Sequence, residues 1–207
     1  MKLYLFGGAE IQLNQAQLLK DLIKKTILQL NPKSVLHISY ARPNPTEEEW
    51  KEGWFKETMK DTGIEILDAR NQADVEKVTN PLIFINGGHG RPDLINGINN
   101  NKKVLNLVLN AEYIVGESSG SMVVGEYMRK GKEGGKITHG LGILKDTIIE
   151  PHYTERNYQQ LLKDEMKQTN AKYGIGIDCI TAIVVNPTEF PSKWSKIGNG
   201  IIDVKIT

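Results

Sequence analysis

The segment Ala111-Glu112-Tyr113-Ile114-Val115-Gly116-Glu117-Ser118-Ser119-Gly120-Ser121-Met122-Val123-Val124-Gly125-Glu126-Tyr127 decides how this chain folds. Its left half reads as a short buried strand. From Ser119 onward the small and apolar residues read as a helix. Between them, Gly116-Glu117-Ser118-Ser119-Gly120 fits G-x-S-x-G, the pattern of a sharp strand-to-helix turn that lifts its central serine. Such a turn needs small neighbours, and Gly116 and Gly120 let strand and helix close without a Cβ clash. The helix start would add unpaired N–H groups and a positive dipole end, both suited to a developing oxyanion. The plainer reading of five such residues is a loop with helix-capping serines, so the rest of the chain must choose between the two.

Upstream of this turn, strand and helix patterns alternate. Leu3–Phe6 reads as a strand ended by Gly7-Gly8. Ile11–Leu30 has helical rhythm and stops at Pro32. Ser34–Tyr40 is a second strand. Glu47–Thr62, with Trp50, Trp54, Phe55 and Met59, is an amphipathic helix closed by Gly63. Ile64–Leu67 is a third strand, Ala73–Val78 a short helix, and Leu82–Ile85 a fourth strand running into Asn86-Gly87-Gly88-His89-Gly90. Leu94–Leu109 is helical with a break near Asn99–Asn101. Downstream come short strands at Gly140–Leu144 and Thr147–Ile149 and a polar helix at Asn157–Thr169. Tyr173–Asp178 and Thr181–Val185 read as a late β-hairpin, and Gly200–Ile206 as a final strand. This alternation predicts a doubly wound α/β fold: a mostly parallel sheet covered by helices on both faces. With no repeat, low-complexity tract or linker, residues 1–207 read as a single α/β hydrolase-type domain.

Composition narrows the function. Lys+Arg 26 against Asp+Glu 25 leaves a net charge of +1 over 207 residues, which gives no reason to expect nucleic acid or a membrane surface as partner. The single cysteine, Cys179, forbids an intrachain disulfide and argues against a zinc cluster, so no metal is expected. The short apolar start at Met1–Gly8 is no signal peptide, and no apolar run reaches membrane-spanning length. A cytoplasmic protein acting on a small peptide is the expectation, and a homodimer is compatible with it.

A lifted serine hydroxyl needs a base, an acid to orient that base, and N–H donors for the oxyanion. In a parallel sheet these lie at the carboxyl ends of strands. Among four histidines, His37 falls inside a strand pattern and His139 precedes a Gly-rich turn. His152 follows Ile148-Ile149 where a strand ends, and is the candidate base. The glycines after the fourth strand offer the Gly88 N–H to pair with that of Ser119 as an oxyanion hole. His89 is a candidate substrate contact. For the acid, Glu133 gives the chain order Ser118, Glu133, His152 expected with this turn, with Glu150, Asp178 and Glu126 as competitors.

Together these residues resemble the peptidase E and cyanophycinase family of serine peptidases. Gly116–Ser121 is similar to the family's G-x-S-A-G-A turn, with serines at the alanine positions. Asn86–Gly90 is similar to its G-G-G-N-T loop, Ile149–Arg156 to its segment with H-F-x-x-R, and Gly174–Asp178 with Thr181-Ala182 to its late G-I-G-I-D-E-x-T-A stretch. The resemblance implies a class I glutamine amidotransferase-like fold and cofactor-free acyl transfer to water. It makes Ser118 the nucleophile and His152 the base, and places the acid at Glu133. It also implies recognition of an acidic substrate residue, for which Arg156 is the candidate. Departures at His89, Gly90 and Tyr158, with Cys179 where an acidic residue is common, motivate an alternative: an inactive ligand-sensing relative on the same scaffold. A nucleotide-binding domain ranks last, because no P-loop or dinucleotide fingerprint is present.

Overall fold

The computed structural model describes residues 1–42, 53–131 and 135–207. Strands β1 (Lys2–Phe6), β2 (Ser34–Ile38), β3 (Glu65–Asp68), β4 (Leu82–Ile85) and β5 (Tyr113–Glu117) form a parallel array. Beside β1, β10 (Ala182–Val185) and β11 (Trp194–Ile197) add antiparallel edges, giving the order β11-β10-β1-β5-β4-β2-β3. A second sheet of five strands has the order β12-β9-β8-β6-β7, from β6 (Gly125–Arg129), β7 (Ile137–His139), β8 (Leu144–Pro151), β9 (Tyr173–Ile177) and β12 (Ile202–Ile206). In it β6, β8 and β9 run parallel.

Side chains alternate across the large sheet as its two-residue period requires. Tyr4, Phe6, Phe84 and Val115 face helices α1 (Ala16–Leu30) and α2 (Trp54–Met59), meeting Leu19, Ile23, Ile27, Phe55 and Met59. Leu3, Leu5, Ile83, Ile85 and Ile114 face the other way. There they pack with α4 (Arg91–Asn100) and α5 (Lys102–Leu109), and with Ile149, Ile175 and Ile177 of the second sheet. The outer face of that second sheet is closed by α7 (Gln159–Thr169), through Leu162 and Met166 against Ile148. Among the described residues the other α-helices are α3 (Gln72–Lys77) and α6 (Ser119–Met122), and a 3₁₀ turn spans Ile11–Leu13. Among the described residues, no helix is long and apolar enough to cross a membrane.

The mostly parallel, helix-covered sheet and the helix break at Asn101 agree with the sequence reading; Asn101 accepts from Lys103 and Val104 N–H and so caps α5. Some details differ. Tyr173–Asp178 and Thr181–Val185 do not pair with each other. β9 joins β8 and β12, β10 joins β1, and the late antiparallel pair is β10 with β11. The helix after the turn is only four residues long, because Val123-Val124 lead directly into β6. So short a helix has no macrodipole to offer. Finally, of the helix expected over Glu47–Thr62, Trp54–Met59 is present, whereas Trp50 lies outside the described residues.

Candidate active site

Ser118 ends β5 in a conformation that L-residues rarely adopt, φ 52° and ψ −112°. The strain is held by neighbours that leave it no alternative. Ser118 N–H donates to Phe6 O at 3.0 Å, and the Ser121 hydroxyl donates to the same carbonyl at 2.8 Å. A Cβ on Gly116 would come within 2.6 Å of Gly120 O, and one on Gly120 within 2.0 Å of Ile85 O, so both flanking glycines are required by close backbone approach. The G-x-S-x-G turn therefore forms as its composition dictates.

His152 reaches this serine from the other sheet. It follows β8, adopts a left-handed φ of 54°, and donates its N–H to Gly7 O at 3.0 Å. The end of β1 thus ties serine and histidine to consecutive carbonyls, those of Phe6 and Gly7. Ser118 Oγ lies 3.0 Å from His152 Nε2. Gly8, at φ +93°, leaves the room: a Cβ there would stand 2.7 Å from His152 Nε2 and 3.2 Å from Ser118 Cβ. Burial, and next the Arg156 guanidinium, hold the His152 pKa down at about 4, against the opposing pull of Glu10. The imidazole is consequently neutral near pH 7 and able to accept a proton.

The group on the far ring nitrogen is one the sequence reading missed. Glu10 Oε1 lies 2.9 Å from His152 Nδ1, and the same oxygen accepts from Arg156 Nε. A neutral imidazole with its proton on Nδ1 donates to Glu10 and turns the Nε2 lone pair toward Ser118. Glu10 follows β1, at the carboxyl end of a strand beside β5. That position was the available signal, although nothing in the local sequence marks it.

The expected acid, Glu133, lies outside the described residues. Its three competitors are engaged elsewhere. Glu150 is fully buried and takes Arg129 Nε and Nη2 at 2.8–3.0 Å. Asp178 accepts Thr154 N–H at 3.0 Å and Ile201 N–H at 2.7 Å. Glu126 accepts Asp146 N–H at 2.7 Å. Cys179 stands 3.2 Å from His152 Nδ1, on the side of the ring that Glu10 also faces.

Around Ser118 and His152 is a cavity of about 300 Å³, bordered by Arg42, His89, Arg91 and Arg156 as well as Glu10 and Glu117. His89 is exposed at its rim, as a substrate contact would be. Arg156, expected to read a substrate carboxylate, is instead paired with Glu10. Arg91 is nine-tenths buried; its Nη1 donates to Gly131 O, and its Nε has no hydrogen-bond partner among the described residues. Arg42 Nε makes a long contact to Gly87 O, at 3.4 Å. Glu117 accepts Gly87 N–H at 2.6 Å, and its burial raises its pKa.

The oxyanion donors need a correction. Gly88 N–H donates to Ser119 Oγ at 2.9 Å, and the Ser119 hydroxyl donates back to Gly88 O at 3.0 Å. The side chain that replaces the more usual alanine thus occupies the donor expected to hold the oxyanion. Its neighbour, the Ser119 N–H, stands at the first position of α6, where helical N–H groups have no carbonyl within the helix. Ser119→Ala would release the Gly88 N–H. A competing hydrogen bond of about 1 kcal/mol corresponds to about a fivefold rate. We therefore expect kcat for peptide hydrolysis to rise about fivefold in this variant, with KM little changed, as steady-state kinetics would read.

The comparisons with known proteins agree with this fold. Among solved structures, the chain is similar to a peptidase from an acI-B1 Actinobacterium: 22% identity, TM-score 0.58, covering 97% of this chain and 88% of that one. It is also similar to a provisionally assigned Peptidase E protein from Listeria monocytogenes EGD-e: 14% identity, TM-score 0.60, covering 100% of this chain and 98% of that one. At these identities the likeness speaks to fold alone. No protein of curated function matches the chain closely in sequence. The model of peptidase family S51 matches residues 3–192, a span that includes the strained serine, the histidine and the glycine loop. The fold and the family match together make this chain a member of peptidase family S51.

Proposed function

We propose that this peptidase is of the serine type and hydrolyses a small peptide, such as a dipeptide, that carries an acidic residue. Ser118 Oγ attacks the scissile carbonyl while His152 Nε2 takes its proton. Glu10 holds the Nδ1 proton and stabilises the imidazolium that forms. The Ser119 N–H stabilises the oxyanion, joined by the Gly88 N–H once the Ser119 side chain yields it. His152 then returns the proton to the leaving amine, and water repeats the cycle on the acyl-enzyme. No cofactor is needed for these steps. The observation that carries the reading is the 3.0 Å contact between Ser118 Oγ and a neutral His152 whose far nitrogen faces Glu10 at 2.9 Å.

With Arg156 engaged by Glu10, the substrate carboxylate falls to Arg91 and Arg42, which border the same cavity. A guanidinium whose buried Nε lacks a partner is supplied with one by a bound carboxylate. The size of the cavity, about 300 Å³, suits a ligand of dipeptide size.

A fluorophosphonate probe tests the proposal directly. Ser118 Oγ should attack phosphorus, expel fluoride and retain the adduct on the tryptic peptide containing Ser118. A folded sample that acquires no adduct there would instead favour the inactive ligand-sensing alternative.

A further inference from the structure

Two groups crowd one nitrogen of His152. Glu10 Oε1 is 2.9 Å and Cys179 Sγ 3.2 Å from Nδ1, and the three atoms lie within 4.8 Å of one another. A single Nδ1 proton serves one acceptor well and not two. The oxygen satisfies the imidazole, which leaves a buried free thiol at the same nitrogen without a part in the acyl-transfer chemistry. The three side chains come from separate segments, after β1, after β8 and after β9, and converge on one point.

Carboxylate oxygen, imidazole nitrogen and thiol sulfur form the donor set of a borderline-soft divalent cation. Zinc bonds these atoms at about 2.0–2.3 Å, and a tetrahedral site spaces its ligands by roughly 3–4 Å, close to the spacing here. We propose that a thiophilic divalent cation, Zn²⁺ being the type, binds Glu10, His152 and Cys179 and arrests hydrolysis. The expectation of no metal rested on clusters of several thiolates, and a mixed set needs only one. Magnesium and calcium, which prefer oxygen ligands, are rejected.

The proton balance explains the arrest. On binding, the Cys179 thiol loses its proton to solvent and the cation takes the Nδ1 lone pair. The proton remaining on the imidazole then sits on Nε2 and points at Ser118. Nε2 cannot accept the serine proton, so attack is blocked. Glu10 and His152 border the active-site cavity, so the cation has a route in, and Arg156, 35% exposed along its side chain, can turn away from Glu10 toward solvent. A fourth position is left for water. The arrest depends on the serine-peptidase reading, whereas the binding does not.

Titration of the full chain with Co²⁺ tests binding without reference to activity, because a thiolate on cobalt gives a charge-transfer band in the near ultraviolet. One Co²⁺ per chain and a band absent from Cys179→Ala are expected. Affinity for Zn²⁺ by calorimetry should fall about tenfold or more in Glu10→Gln. If Cys179→Ala melts early, Cys179→Ser serves, since a hydroxyl gives no such band. Zn²⁺ should also slow fluorophosphonate labelling of Ser118, and a chelator should restore it. No band in the folded chain, or a band that persists without Cys179, overturns the site, and binding that leaves labelling unchanged overturns the arrest. Cobalt binding through Cys179 in a protein that chelator-treated samples show never reacts with the probe would sustain the metal site while sinking the hydrolase reading.

Discussion

Ser118→Ala is expected to lower peptide hydrolysis by about 10⁴-fold or more, with melting temperature kept or raised. The magnitude follows from the proposed triad, whose groups act as a unit and none of which can substitute for the missing bond-forming atom. The prediction is sharper than a generic loss of function because the surroundings of the residue separate chemistry from folding. The backbone at Ser118 is held by Phe6 O, and the hydroxyl's contact is to His152 Nε2. Alanine keeps the Cβ and the N–H while removing only the oxygen. Residual hydrolysis within tenfold of wild type, in purified protein of unchanged melting behaviour, would place the chemistry elsewhere.

The second large effect is expected at Glu10. Glu10→Gln should cost about 10²- to 10⁴-fold in kcat. An amide can present its N–H₂ to Nδ1 and so favour the wrong tautomer, with the proton on Nε2 facing the serine. It also removes the charge that steadies the imidazolium. The pH profile supplies a reading that mere misfolding would not give. The free base is the active form, so hydrolysis is present above the His152 pKa and lost below it. In the wild type that acid limb is expected near pH 4 rather than near 6.5, because burial and Arg156 depress the imidazole. Glu10 pulls the pKa upward, so its neutralisation should move the limb to still lower pH while the plateau falls. A plateau within threefold of wild type would return the acid's role to another residue, Glu133 included.

Sequence carried the serine turn, the place of His152 and the glycine loop because each is a local matter. Gly116 and Gly120 announce a close approach of strand and helix, and His152 sits where an apolar run stops. The five parallel strands of the large sheet were readable from alternating periodicities. Glu10 was not readable, because 108 positions separate it from Ser118 in the chain (118 − 10) and only the pairing of β1 with β5 brings the two strand ends together. The contacts of Cys179 and Arg156 were hidden for the same reason: which neighbour reaches each is set by the fold, and Arg156 meets Glu10 while Cys179 meets His152. The separation of β9 from β10 into different sheets was hidden too. Two apolar runs with a short connection look like a hairpin until a central strand, here β1, competes for one of them.

The shared strand end at Phe6 and Gly7 has a mechanical consequence. One carbonyl accepts from the serine turn and the next from the histidine, so the proposed nucleophile and base are both tethered to β1, an interior strand of the large sheet. Insertions and sequence drift at the periphery of this protein should therefore leave the proton-transfer distance intact.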